Sequence, residues 1–170
     1  MDALKAAVLL FVASLLQLVV LTDYAAFRSA SAVLVTLIAI ALLRGSIFGA
    51  VAGFGTGLLL DTATLGTLGV TSLLLTVAGF WIGRYGETTA RDRFHAPFLS
   101  VAVVTILYAV AALALQFVLG EPAPAGLVVR DLPLALLVNL LLTLPIYALV
   151  RRVFPPPELG DRVREVRLLG

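Results

Sequence analysis

Apolar residues in this chain come in long unbroken runs, not in the narrow stripes of soluble helices. Six runs stand out, over Leu4–Leu21, Ser31–Leu43, Ser46–Leu60, Thr67–Ile82, Pro97–Leu119 and Leu132–Val150. A spanning helix needs roughly 20 apolar residues, and the runs approach or reach that length. Polar residues gather between them: TDYAAFRSA at Thr22–Ala30, DTATLG at Asp61–Gly66, GRYGETTARDRFHA at Gly83–Ala96 and GEPAPAGLVVR at Gly120–Arg130. Their Asp, Thr and Gly residues suit helix stops and fresh N-caps. The pattern predicts an all-α fold, a polytopic membrane bundle of six transmembrane helices over residues 1–154.

Only Arg44 and Gly45 separate the second run from the third. One continuous helix from Ser31 to Leu60 would measure about 45 Å against a hydrocarbon core of about 30 Å, with Arg44 near its middle. A tight hairpin of two short helices meets both objections, given thinning of the bilayer or burial among longer helices. Pro145 is expected to kink the last helix. After Arg151-Arg152 the chain breaks at Pro155-Pro156-Pro157 and ends GDRVREVRLLG. Residues 155–170 form a cytoplasmic tail, for which an interfacial amphipathic helix (Leu159, Val163, Val166 and Leu169 on one face) and disorder are both open.

Composition agrees with the pattern. Of 170 residues, 61% are hydrophobic and 13% charged, and mean hydropathy is +1.11. Soluble domains carry about a quarter charged residues, so this is the composition of an integral membrane protein. The lack of cysteine removes disulfide and thiolate chemistry. The first run looks like a signal peptide, but one lysine precedes it and further spans follow, so it is read as an uncleaved first helix. Charge sets orientation. With six helices, ten basic residues (Lys5, Arg44, Arg84, Arg91, Arg93 and the five arginines after Val150) fall on one side and only Arg28 and Arg130 on the other. That bias places both termini in the cytoplasm and Asp61 at the outer face. Arginines of the Gly83–Ala96 loop and the tail are also expected to attract anionic lipids.

The most function-like stretch is RGSIFGAVAGFGTGLLLDTATLGTLG, from Arg44 to Gly69. Gly45, Gly49, Gly53 and Gly57 recur at steps of four, and the next step lands on Asp61. On a helix these positions stack into one ridge, and in lipid a glycine ridge lets another backbone approach closely. Two uses fit: packing inside the bundle, or docking of a partner helix. We read Gly49, Gly53, Gly57 and Asp61 as a docking face. Asp61 equally suits a cap for the following helix or a polar contact to a partner. Gln17 and Asn139, polar residues inside predicted spans, suit interhelical hydrogen bonds.

Catalysis finds little support. There is no GxSxG, HExxH or Walker pattern, and no pair of carboxylates within a span. GFGTG lies in a membrane helix, not after a strand, so nucleotide binding is rejected, and with it any nucleic-acid or cofactor role. His95 is a lone histidine in a charged loop, without companions for a metal.

At Gly45–Gly83 the chain resembles the MreD family of rod shape-determining membrane proteins. The residues that carry the likeness are Gly53-Phe54-x-x-Gly57-Leu58-x-x-Asp61, then Leu68-Gly69 opening the next helix, and Gly79 or Gly83 near its end. The resemblance implies a non-enzymatic scaffold of the cell-elongation machinery in the bacterial inner membrane. It implies binding to MreC, through its membrane helix and the start of its periplasmic segment. It also implies action with MreB, RodA and the transpeptidase partner of RodA in lateral peptidoglycan synthesis. MreD further looks like the S component of energy-coupling factor transporters, which implies as an alternative a vitamin-type small-molecule binder using Asp23, Tyr24, Arg28, Asp61 and Glu121 near the outer face.

Overall fold

A computed structural model describes residues 2–17, 31–64, 67–88, 95–120 and 125–154. Six helices follow in order: α1 Asp2–Leu16, α2 Ala32–Arg44, α3 Ser46–Thr64, α4 Val70–Thr88, α5 Ala96–Val118 and α6 Ala125–Val153. Among the described residues there is no strand. Three helices are long and apolar enough to cross a membrane, over Ser46–Ala63, Ala96–Val118 and Ala125–Val153. The tail after Phe154 and the Thr22–Ala30 turn lie outside the described residues.

The hairpin between the second and third runs is present. α2 ends at Arg44, Gly45 takes φ +94°, and α3 starts at Ser46. That positive φ is the left-handed region that glycine enters without a Cβ penalty, which lets two helices meet with one residue between them. α2 has 13 residues, about 20 Å, too short to cross alone. It is the centre of the bundle. All its residues except Arg44 are buried, and it packs against α1, α3, α4, α5 and α6.

Two boundaries differ from the sequence expectation. α4 continues through Gly83–Thr88, where a charged loop was expected, because Gly83 packs on Gly45 and Gly86 on Leu42, and those contacts hold the last turns in place. α6 begins at Ala125, seven residues before the expected Leu132, with Pro133 inside it. A proline there frees the carbonyl four residues back, that of Val129. Val129 is exposed, and the helix continues through Pro133 without a break.

At one end of the bundle the start of α1, the α2–α3 turn and the end of α6 converge. Arg44 pairs with Asp2 at 2.5 Å, and its guanidinium stacks over the Phe154 ring, 4.9 Å from the centroid. Both ends of the described chain therefore sit on the same side as Arg44.

Candidate functional site

The glycine ridge lies against α4, with the two helices antiparallel. A Cβ at Gly49 would strike the Gly79 carbonyl, one at Gly53 the Leu75 carbonyl, and one at Gly57 the Ser72 backbone. The fit is mutual, since a Cβ at Gly79 would strike the backbone of Gly49 and one at Gly83 that of Gly45. The face that the glycines offer is thus filled from within the chain. Docking of a partner helix directly onto Gly49, Gly53 and Gly57 has no room, and the structural reason is α4 itself. By contrast Gly55, on the other side of α3, has open space where a Cβ would be.

Asp61 sits inside α3, not in a loop, and is only 2% exposed. Its carboxylate accepts from the backbone N–H groups of Gly69 (2.8 Å), Thr71 (3.1 Å) and Ser72 (3.2 Å). The first N–H groups of any helix lack partners within it, and a carboxylate there also meets the positive end of the helix dipole. Asp61 therefore caps α4 from the neighbouring helix and does not face outward. At the opposite end of the same pair, Glu87 accepts from Ser46 N (2.7 Å) and Ser46 Oγ (2.9 Å), capping the start of α3. Each helix of the seam thus carries, near its end, the carboxylate that caps the other.

Gln17 and Asn139 meet at the start of α2. Gln17 Oε1 accepts from Ser31 Oγ (3.1 Å) and Val33 N (3.2 Å). Asn139, fully buried, accepts from Ser31 N at 2.9 Å and donates through Nδ2 to Thr105 Oγ1 at 3.1 Å. One carboxamide thereby ties α6 to α2 and α5.

Cavities among the described residues lie outside these contacts, and two of them bear on function. Between α4 and α5 runs an apolar cleft of about 510 Å³, lined among others by Val77, Trp81, Leu99 and Val103. Ser100 also lines it, and among the described residues its buried Oγ has no hydrogen-bond partner. Beside the start of α2 lies a second, polar cavity of about 600 Å³ between α5 and α6. Its Gln116 and Asp131 were missed in the sequence. The signal is the step-of-four series Asp131, Ala135, Asn139, which a helix start at Leu132 splits. Asp23, Tyr24, Arg28 and Glu121 lie outside the described residues. His95 is exposed ahead of α5 and makes no side-chain cap bond. Among the described residues no cluster of three or more His, Cys, Asp or Glu could hold a metal ion.

These features define a helical membrane protein in which Asp61, Glu87, Gln17 and Asn139 join one helix to the start of another. No curated protein and no solved structure matches the chain. The family model described as rod shape-determining protein MreD matches residues 3–153, nearly the whole chain. The chain belongs to the MreD family, and with it to the proteins of rod shape determination.

Proposed function

We propose that this protein is a non-enzymatic scaffold of the bacterial plasma membrane that holds MreC in the cell-elongation machinery. The family match over residues 3–153 carries the reading. In it the protein spans the membrane six times with both termini in the cytoplasm, as the ten-to-two distribution of basic residues favours. Arg44 and Asp2 then mark the cytoplasmic end, where anionic lipids meet the basic side chains. MreB, RodA and its transpeptidase partner are reached through MreC, in support of lateral peptidoglycan synthesis.

The closed glycine seam moves the docking face. The α4–α5 cleft is the better seat for the MreC membrane helix. It is a concave apolar surface on the outside of the bundle, which a crossing helix can fill by side-chain packing. The test is co-purification with full-length MreC in mild detergent. Val103→Trp, which fills the cleft, is expected to weaken the complex and leave the protein monodisperse. Val110→Trp, on an exposed part of α5 outside the cleft, is expected to leave it intact. Absence of a wild-type complex overturns the scaffold reading; equal retention by both variants overturns the cleft alone.

A further inference from the structure

The polar cavity between α5 and α6 lies over the hydrogen bonds at the start of α2, and its Gln116 and Asp131 take part in none of them. Its floor is the start of α2: Ser31, Gln17, Asn139 and Thr105, already hydrogen-bonded to one another. Its walls follow helical spacing. Thr105, Ala109, Ala112 and Gln116 line one face of α5, and Asp131, Ala135 and Asn139 one face of α6. Small side chains where two helices meet leave space instead of closing it. Hydroxyls and carboxamides make that space fit for water, which needs several polar partners to stay.

Charge then selects the occupant. Among the described residues that line the cavity, Asp131 is the one that carries a charge. It is half-buried, and among the described residues it has neither an ion-pair nor a hydrogen-bond partner. Its chain neighbour Arg130 is exposed and does not line the space. Leu34, Leu113, Leu127 and Leu132 add apolar surface to the wall, and Tyr108 adds an aromatic ring. A carboxylate in a concave, partly apolar site attracts cations and repels anions. Sites of this volume with few polar groups suit small organic molecules.

We propose that this cavity is a binding site for a small amphipathic cation, a protonated amine on an apolar body, with Asp131 as its counter-charge. The site requires no transport step and is independent of the scaffold reading.

The chain has no cysteine, so a single introduced thiol reports on the cavity alone. Ala109→Cys, in protein reconstituted in liposomes, is reacted with a cationic (ethyltrimethylammonium) or an anionic (ethylsulfonate) methanethiosulfonate. Rates are scaled to those with free cysteine. The cationic reagent is expected to react about tenfold faster, and adding Asp131→Asn brings the ratio near one. Val110→Cys, on the exposed side of α5, reacts with neither. Millimolar phenethylamine slows labelling of the Ala109→Cys protein several-fold, whereas phenylacetate does not. Ala112→Cys stands in if the first variant is not monodisperse. No reaction with either reagent, a ratio that ignores Asp131→Asn, or no protection by phenethylamine would each overturn the proposal. None of these readouts involves MreC, so they fail separately from the scaffold reading.

Discussion

Adding one methyl group to the seam tests the central claim about the glycines. A Cβ at Gly53 would lie 2.6 Å from the Leu75 carbonyl carbon and closer still to its oxygen, where ordinary contact begins at 3.4 Å. The difference is 0.8 Å, and the obstacle is backbone, which cannot rotate away as a side chain can. Because the oxygen lies nearer than the carbon, α3 and α4 must separate by at least that amount. A radial gap of 0.5–1 Å forfeits about a quarter to a half of each facing atom pair's dispersion energy. Overpacking of this kind costs about 1–3 kcal/mol, while alanine for glycine in a helix returns about 0.8–1 kcal/mol. Gly53→Ala is therefore expected to destabilise by a net of about 0–2 kcal/mol, and to be less stable than Gly55→Ala by about the full overpacking cost of 1–3 kcal/mol. Gly55→Ala, two residues away but facing open space, is expected to be neutral or slightly stabilising. Thermal unfolding of both in one detergent, followed by loss of monodisperse protein, makes the comparison internal to α3. Gly53→Leu, far larger, is expected not to accumulate as folded protein at all. If Gly53→Ala proves as stable as Gly55→Ala, the seam is not close-packed, and the ridge is again available to a partner.

The caps make further predictions, each read by the same unfolding measurement. Asp61→Ala strands three N–H groups at the start of α4 and should cost about 1–3 kcal/mol; Asp61→Asn, which keeps one acceptor oxygen, should cost less. Asn139→Leu leaves the Ser31 N–H without its acceptor and should cost about 1–3 kcal/mol, whereas a smaller loss than Asp61→Asn would show that water replaces the carboxamide. Asp2→Ala removes a part-exposed ion pair and should cost at most about 1 kcal/mol. Arg44→Ala should cost more, since the stacking on Phe154 adds about 0.5–1 kcal/mol. Equal losses at Asp2 and Arg44 would mean that the ring contributes nothing.

The helices were legible because each is a run of apolar residues broken by glycine, proline or charge. Runs of this kind locate a helix without saying what lies beside it. The step-of-four glycines show that some backbone comes close, but any backbone would leave the same trace. What identifies α4 as the neighbour is a second series of small residues, Ser72, Gly79, Gly83 and Gly86, and half of it was hidden in a segment whose Arg84 and Glu87 looked like loop. A helix that ends at a water boundary carries charges in its last turn, so composition ends it too early. Similarly, Asp131 was separated from Asn139 because Arg130 and the prolines nearby read as a turn. The cap role of Asp61 is among its sequence readings, but its burial depends on α3 and α4 meeting in one register, and no local pattern encodes that.

Register is where the polar residues of this bundle act together. Apolar side chains and glycines alone would allow α3 to slide on α4 by one step of four, since the ridge repeats itself at that interval. Sliding would move Asp61 away from the start of α4 and Glu87 away from Ser46 at the same time. Water is scarce at buried helix starts, and an N–H group left without an acceptor there is costly. The two carboxylates, one near each end of an antiparallel pair, therefore select a single alignment from several that packing would tolerate. α2 is fixed by the same device, its start held by Gln17 and Asn139. The glycines supply closeness and the acids and amides supply position. On this argument, replacing both Asp61 and Glu87 should cost more than the sum of the single losses, because either carboxylate alone still specifies the alignment. Simple additivity in a double-mutant cycle would show that packing sets the register and that the caps only follow it.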